Sequence, residues 1–302
     1  MSLTSSADWG RVLTAMVTPF DAEGRIHEQG TRDLVGHLLS HGSDGLVVCG
    51  TTGEAPTLSL DEKRRMFELV METAGGRGAV LAGTGTNDTR DAVELSEAAA
   101  AVGVDGLLVV TPYYNKPSQE GLYRHFRAVA EATTLPVMVY NVPGRTSVNM
   151  EAATCLRLAR EVANIVAVKE AGGNMMQITD LISGAPDGFR VYSGEDGLVL
   201  PMLALGAYGV VSVTSHVVGP DMQAMIRAFL AGRTNEAARL HARMLPIVRA
   251  CFQATTPSPV PVKAALNMLG VAVGRPRLPL VEANEREIEI VGHALRGHGL
   301  LV

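Results

Sequence analysis

The chain has 302 residues, of which 47% are hydrophobic and 19% are charged, which is typical of a soluble globular enzyme with a large core. A net charge of -5 and an aromatic content of 4% argue against nucleic acid or an anionic membrane as partner. No apolar run is long enough to span a membrane and no signal peptide is recognisable, so we expect a cytoplasmic protein. Cys49, Cys155 and Cys251 are widely spaced, which predicts reduced core thiols.

Short apolar runs typical of buried strands alternate with stretches of helical periodicity. The predicted strands are Val12–Val17, Gly45–Val48, Val80–Gly83, Gly106–Val110, Val137–Tyr140, Ile165–Lys169, Arg190–Ser193 and Gly209–Val213. The predicted helices are Glu28–Ser40, Leu60–Thr73, Thr89–Val102, Gln119–Ala130, Glu151–Val162, Met175–Ile182, Leu198–Ala204 and Pro220–Ala231. Eight such units in about 250 residues predict an α/β fold, a (β/α)8 TIM barrel. An open doubly wound sheet is the alternative, because counting repeats does not prove closure.

The residues that follow the eight units predict a helical extension. Three amphipathic stretches, Glu236–Ala250, Val260–Leu269 and Asn284–Leu295, have apolar faces that suit packing on the barrel. We therefore expect a barrel over residues 1–234 and C-terminal helices over residues 235–302, forming a single structural unit.

Polar and glycine-rich segments follow the predicted strands, where the catalytic residues of a barrel lie. They are Gly50–Glu54, Gly83–Asn87, Thr111–Asn115, Tyr140–Thr146, Lys169–Gly173 and Ser193–Asp196. Their convergence on one rim predicts a site there. No motif in the sequence indicates a metal site, and His125 and His216 stand alone, which is typical of structural histidines.

Lys169 is the most informative residue of this set. The chain has only four lysines, and this one ends the apolar strand Ile165–Lys169. Burial lowers the pKa of an ammonium, and a neutral amine can form a Schiff base with a carbonyl. The alternative is a lysine whose charge reaches water at the end of the strand.

The other rim residues also allow two interpretations each. The Gly50–Glu54 segment is either a tight turn or a set of N–H and hydroxyl groups suited to a carboxylate. Tyr140 is either a core tyrosine or a proton shuttle beside the lysine. Arg145 is either a surface residue or a bidentate carboxylate anchor.

Three motifs together resemble the dihydrodipicolinate synthase family, within the N-acetylneuraminate lyase superfamily of class I aldolases. They are Gly50–Glu54, Tyr140–Thr146 and Val168–Glu170, and the similarity runs from about Val12 to Leu280. The Gly-Thr-Thr-Gly-Glu segment and the lysine strand are shared across the superfamily. The Pro-Gly-Arg-Thr sequence that ends at Thr146 and the Tyr-Tyr-Asn-Lys-Pro sequence of Tyr113–Pro117 are more specific to the synthases.

The resemblance implies a Schiff-base lyase of lysine and diaminopimelate biosynthesis that condenses pyruvate with L-aspartate-4-semialdehyde. It implies no cofactor beyond the covalent lysine imine, and a homodimer or homotetramer. Lys169 would form the imine, and Tyr140, Thr51 and Tyr114 would relay protons, with Tyr114 donated by a neighbouring chain. The substrate-binding residues would be Thr52, Arg145, Gly194 and Val211.

The resemblance also implies a regulatory cleft that binds L-lysine in sensitive relatives. Its residues here would be Ala55, Leu60, Lys63, Asn87, Asp91 and Tyr113. Leu60 and Lys63 replace histidines of sensitive members, and Asp91 replaces a longer glutamate, which predicts weak or absent inhibition. If Lys63 instead points to solvent, the cleft stays usable.

Two alternative functions remain open at the level of sequence. One is a sibling aldolase or lyase acting on a sugar acid or sialic acid, although such siblings generally lack an arginine at the position of Arg145. The other is a barrel that only binds a ligand, which the lysine, tyrosine and threonine set disfavours.

Overall fold

Eight parallel strands close into a barrel within residues 7–301, the part of the chain that the computed structural model describes. They pair in chain order, and β8 pairs with β1. The strands are β1 (Val12–Ala15), β2 (Gly45–Val48), β3 (Ala79–Gly83), β4 (Gly106–Val110), β5 (Val137–Asn141), β6 (Ile165–Glu170), β7 (Arg190–Ser193) and β8 (Gly209–Ser212). The closure confirms the predicted (β/α)8 barrel and excludes the open sheet.

Helices connect the strands and cover the outside of the barrel. They are α1 (Glu28–Ser40), α2 (Leu60–Ala74), α3 (Thr89–Val102), α4 (Gln119–Glu131), α5 (Pro143–Thr146), α6 (Ala152–Glu161), α7 (Met175–Gly184), α8 (Val199–Leu205) and α9 (Ser215–Leu230). The predicted C-terminal helices are confirmed as α10 (Thr234–Cys251), α11 (Val260–Met268) and α12 (Glu285–His298). Helix α10 packs against α9 and α12, while the division at residue 234 stays a prediction.

Two helices differ from the sequence prediction. The helix after β8 begins at Ser215 rather than at Pro220, because a helical turn precedes a kink at Val218, whose φ of -122° and ψ of 30° are not helical. Pro220 then lies near the start of the second segment, where a proline is tolerated. Helix α5 falls in a segment that was expected to be loop, since four residues are too few to show helical periodicity.

The strands are buried on both faces, which explains their continuous apolar sequences. Side chains that point into the barrel form an inner cluster, which includes Leu13, Val47, Leu81, Leu108, Met138, Tyr140, Ala167, Tyr192 and Val211. A larger cluster fills the space between the strands and the helices. The inner cluster places the side chains of Tyr140 and Val211 inside the barrel.

A capping box sets the start of α2, just beyond the Gly50–Glu54 segment. The Ser59 hydroxyl accepts a hydrogen bond from the Glu62 N–H at 3.2 Å, and the Glu62 carboxylate accepts one from the Ser59 N–H at 2.9 Å. A single 3-10 turn, Ala55–Thr57, fills the interval. The turn after β2 is therefore tied closely to the first turn of α2.

Candidate active site

Lys169 lies near the C-terminal end of β6 with its side chain inside the barrel. It is paired in register with Tyr140 on β5 and with Tyr192 on β7. Only 5% of the residue is exposed, and its Nζ lies 4.2 Å from the centre of the Tyr140 ring. The side chain therefore does not escape to water, which rules out the alternative interpretation from the sequence.

The surroundings of Lys169 favour a reactive amine. Burial lowers the pKa of Lys169 to about 8, because an ammonium loses its hydration there. The carboxylates of Asp196 and Glu195 raise this pKa and oppose the effect of burial, whereas the positive charge of Arg145 lowers it further. A substantial share of neutral amine is therefore present near neutral pH.

Gly194 makes room for the lysine side chain. A Cβ placed on Gly194 would lie 3.1 Å from Cε and 3.2 Å from Cγ of Lys169, and 2.6 Å from the Cβ of Ala171. A side chain at this position would push the lysine out of place. Val211 on β8 is fully buried in the inner cluster.

Tyr140 and Thr51 form a hydroxyl pair beside Lys169. Tyr140 is 6% exposed, and burial raises the pKa of its phenol, so the hydroxyl stays protonated near neutral pH. The Thr51 side chain, in the turn after β2, lies close enough to this phenol to lower its pKa and so opposes the effect of burial. The next residue, Thr52, is 5% exposed. The arrangement can pass a proton between hydroxyl groups without a buried charge on either one.

A cavity of about 220 Å³ opens at this end of the barrel and joins two of the predicted sets of residues. Thr51, Tyr140 and Arg145, which were predicted to act on substrate, line it. So do Ala55, Lys63 and Tyr113, which were predicted for the regulatory cleft. Thr51, Ala55 and Lys63 line the same cavity because they follow one another in the segment from β2 into α2.

Arg145 lies at the outer part of this cavity, on the short helix α5. Its guanidinium is exposed and makes a long hydrogen bond of 3.4 Å to the Ser258 carbonyl oxygen. It is therefore placed to bind an anion that enters from solvent, farther out than Lys169. This matches its expected position in the loop past Pro143.

Lys63 does not point freely into solvent, contrary to the alternative considered from the sequence. It is half-buried, it lines the cavity, and burial lowers the pKa of its ammonium. The charge of Asp91 on α3 opposes that shift. Leu60, Asn87 and Asp91 lie outside the cavity lining, although the Asn87 backbone is close enough to Tyr113 to lower the pKa of its phenol.

Of the predicted catalytic residues, Lys169 and Tyr114 do not line this cavity: Lys169 is buried beside Tyr140, whereas Tyr114 points away from the single chain. Its side chain is 88% exposed, and its backbone has a φ of 72°, in the left-handed region that non-glycine residues rarely adopt. The neighbouring Asn115 side chain donates a hydrogen bond of 2.8 Å to the Asn87 carbonyl oxygen and helps to hold this loop.

Sequence reasoning assigned no role to several buried charged residues around the site. Glu54 forms an ion pair of 2.6 Å with Lys263 on α11. Asp196, which is 3% exposed, accepts hydrogen bonds from the N–H groups of Val213 and Thr214 at 3.1 and 2.8 Å. Glu170 accepts hydrogen bonds from the Asn141 side chain. The sequence contains one indication that these residues belong to the site, because Glu54, Glu170 and Asp196 all lie in the polar segments that follow the predicted strands.

Residues 7–301 contain no group of three or more His, Cys, Asp or Glu side chains arranged to hold a metal ion. The three cysteines are buried and unpaired. His216 is fully buried and bonded to the backbone, accepting from the Val17 N–H at 3.1 Å, which fits the structural role expected for it. None of the helices in this part of the chain is long and apolar enough to cross a membrane.

Comparison with known proteins gives consistent results. The model of the dihydrodipicolinate synthetase family matches residues 8–297. The 4-hydroxy-tetrahydrodipicolinate synthase of Moorella thermoacetica is 56% identical over 293 residues, which are 97% of this chain and 99% of that protein. A dihydrodipicolinate synthase structure from Bacillus anthracis has a TM-score of 0.93 at 48% identity, covering 96% of this chain and 98% of that one. A lysine-bound structure from Cyanidioschyzon merolae has a TM-score of 0.95 at 44% identity, covering 97% and 99%.

Proposed function

The chain belongs to the dihydrodipicolinate synthetase family, and we propose that it condenses pyruvate with L-aspartate-4-semialdehyde to give 4-hydroxy-tetrahydrodipicolinate. The observation that carries this proposal is the buried amine of Lys169 beside the hydroxyl pair of Tyr140 and Thr51. No observation favours the sibling reaction on a sugar acid or sialic acid. A barrel that only binds a ligand would not need a lysine with this pKa.

The first half of the reaction is the activation of pyruvate. The neutral amine of Lys169 adds to the ketone carbon, and loss of water gives a cationic imine. The imine draws electrons from the adjacent methyl group, so a proton leaves that carbon and an enamine forms. Tyr140 and Thr51 carry protons to and from these intermediates through their hydroxyl groups. Thr52 binds the pyruvate carboxylate through its hydroxyl and N–H.

The second half forms the carbon–carbon bond. The enamine carbon attacks the aldehyde carbon of the semialdehyde, which regenerates the imine and leaves an alkoxide that takes up a proton. The amino group of the semialdehyde then adds to the imine carbon and displaces the Lys169 amine, which closes the ring. One water is lost overall and the lysine is released unchanged, so the reaction requires no further cofactor. Arg145 binds the carboxylate of the incoming aldehyde.

We also propose that the active form is a homodimer or homotetramer in the cytoplasm. A tyrosine that is 88% exposed on a left-handed backbone is an unusual feature for an isolated chain. In a dimer, the Tyr114 hydroxyl would extend the proton relay of the neighbouring chain. Three buried, unpaired cysteines suit a reducing compartment.

Two experiments test the proposal. Treatment with pyruvate and borohydride, followed by mass spectrometry, should place a single reduced adduct on Lys169. An adduct on Lys63, Lys116 or Lys263 would contradict the assignment. Turnover with aspartate semialdehyde should then exceed turnover with sugar-acid substrates, and the reverse order would favour the sibling reaction.

A further inference from the structure

A buried ion pair joins the C-terminal helices to the turn that carries Thr51 and Thr52. Lys263 Nζ on α11 lies 2.6 Å from Glu54 Oε1, and the two side chains are only 2% and 1% exposed. Lys263 also donates a hydrogen bond of 3.0 Å to the Arg275 carbonyl oxygen, and its Nζ lies 4.4 Å from the centre of the Phe20 ring. Burial lowers the pKa of Lys263, and the adjacent Glu54 carboxylate opposes that shift.

A pair of buried charges is an expensive way to attach a helix. Both ions lose their hydration, and apolar side chains of similar volume usually stabilise such a contact as well or better. The core between the barrel and its helices is otherwise mostly apolar. What a buried ion pair adds over apolar packing is a defined geometry, because the charges are satisfied only in one arrangement.

The backbone around Glu54 is where a defined geometry matters. Glu54 has a φ of 58° and a ψ of 36°, a left-handed conformation that is unfavourable for a residue with a side chain. Its N–H donates to the Thr51 carbonyl oxygen at 3.1 Å, so Glu54 closes the turn that presents Thr51 to Tyr140. The preceding carbonyl, that of Gly53, accepts from the Thr18 hydroxyl at 2.6 Å.

A second connection from the C-terminal segment reinforces the first. The N–H of Arg277 donates to Glu54 Oε2 at 2.8 Å. The guanidinium of Arg277 donates to the Thr57 carbonyl oxygen at 2.8 Å and to the Glu62 carboxylate at 2.9 Å. Both carboxylate oxygens of Glu54 are thus held by residues beyond the barrel, and the start of α2 is held by the same segment.

We propose that Glu54 and Lys263 are positioning residues for the condensation, through which α11 sets the geometry of the Thr51–Thr52 turn. The C-terminal helices are then part of the catalytic apparatus, although none of their residues has to touch substrate. This inference rests on the proposed function, because Thr51 and Thr52 act there as proton relay and pyruvate-binding residues.

The decisive variant is the neutral double substitution Glu54→Gln with Lys263→Met. The glutamine can still accept the Arg277 N–H, and the methionine fills the space of the lysine stem, so we expect the melting temperature to stay close to that of the unchanged protein. We expect kcat/KM for pyruvate to fall about ten- to a hundred-fold, since small misplacements of catalytic groups have effects of that size. A double variant with unchanged kinetics for pyruvate would overturn the proposal and leave the pair as a structural contact.

A second measurement covers the case in which the double variant does not fold. Lys263→Arg keeps a positive charge beside the Glu54 carboxylate, so it is less destabilising, but the larger guanidinium cannot reproduce the contact of the ammonium. Hydrogen exchange at low temperature, where this variant is folded, should speed up in peptides covering residues 50–58 and stay unchanged in the strands β4 to β6. A uniform change, or no change in residues 50–58, would count against positioning. This readout needs no substrate, so it is independent of whether the proposed reaction is correct.

An exposed ion pair in the same C-terminal segment provides the matched control. Arg275 and Glu282 lie 3.2 Å apart, with side chains 74% and 57% exposed. Arg275→Met with Glu282→Gln removes one positive and one negative charge from exposed side chains and leaves in place the Arg275 carbonyl oxygen that accepts from Lys263. We expect unchanged kinetics and unchanged exchange in residues 50–58, and an effect equal to that of the buried pair would refute the special role of Lys263.

Discussion

The pKa of Lys169 can be tested through the carboxylate that acts on it most strongly. Asp196 is 3% exposed and has the largest effect among the charges that raise the pKa of Lys169. Asp196→Asn removes the charge, while the amide oxygen can still accept from the N–H groups of Val213 and Thr214. Without the negative charge the ammonium is less stabilised, so the pKa of Lys169 should fall below its value of about 8.

The expected magnitude follows from the fraction of neutral amine. With a pKa of about 8, roughly a tenth of Lys169 is neutral at pH 7, whereas an ordinary lysine is neutral in only ~0.03% of molecules. Burial therefore raises the share of reactive amine by roughly two orders of magnitude. If the substitution lowers the pKa by about one unit, the neutral fraction at pH 7 rises to roughly a half.

The assay is the initial rate of adduct formation with subsaturating pyruvate and cyanoborohydride, followed by mass spectrometry from pH 6 to above pH 9. For the unchanged protein the rate should rise with pH and level off above about pH 8. For Asp196→Asn the midpoint should lie at lower pH. Overall turnover should nevertheless fall, because the cationic imine loses the same buried counter-charge.

The control is Asp180→Asn on the exposed face of α7, which should leave the midpoint unchanged. A midpoint in the unchanged protein near that of an ordinary lysine would refute the effect of burial. A shift to higher pH in Asp196→Asn would refute the sign of the charge effect.

Three further predictions concern the outer part of the site. Arg145→Ala should raise KM for the aldehyde at least about tenfold while adduct formation with pyruvate persists, and an equal loss of both would indicate a shared or structural role. Tyr114→Phe should lower kcat strongly without changing the oligomeric state in sedimentation, and a fully active monomer would contradict the shared relay. L-lysine should inhibit weakly or not at all in a steady-state titration, because the half-buried ammonium of Lys63 lines the cavity and would repel the cationic ligand. Strong, saturable inhibition would show that the cleft still binds L-lysine.

The fold was predictable because each strand–helix unit has its own local signal. Strands buried on both faces are apolar throughout, and the helices between them are periodic, so eight repeats could be counted. Closure could not be derived in this way, since it depends on the pairing of β1 with β8. The short helix α5 and the first turn of α9 were missed for a local reason, because periodicity does not show in a few residues beside a proline.

The topology of parallel strands explains why several of the predicted site residues lie at one rim of the barrel. Parallel strands place their C-terminal ends at the same end of the barrel, so Thr51, Tyr140 and Lys169 meet although they come from three different units. The same logic places Gly194 against the lysine. It gives no information about Tyr114, because the role proposed for that residue requires a second chain.

The buried charges were beyond sequence reasoning for a different physical reason. A charged residue in a sequence is normally read as solvent-exposed, and only the partner that neutralises it makes burial tolerable. Lys263 lies in an apolar helix and Glu54 in a turn after β2, and nothing in the local sequence connects them.

Three of the four lysines are partly or fully buried, and their surroundings distinguish them: Lys63, Lys169 and Lys263. Lys263 contacts a carboxylate, and we propose that this contact positions the Thr51–Thr52 turn. Lys169 instead has aromatic and hydroxyl neighbours, and its carboxylates lie farther away. The amine of Lys169 is therefore free to react.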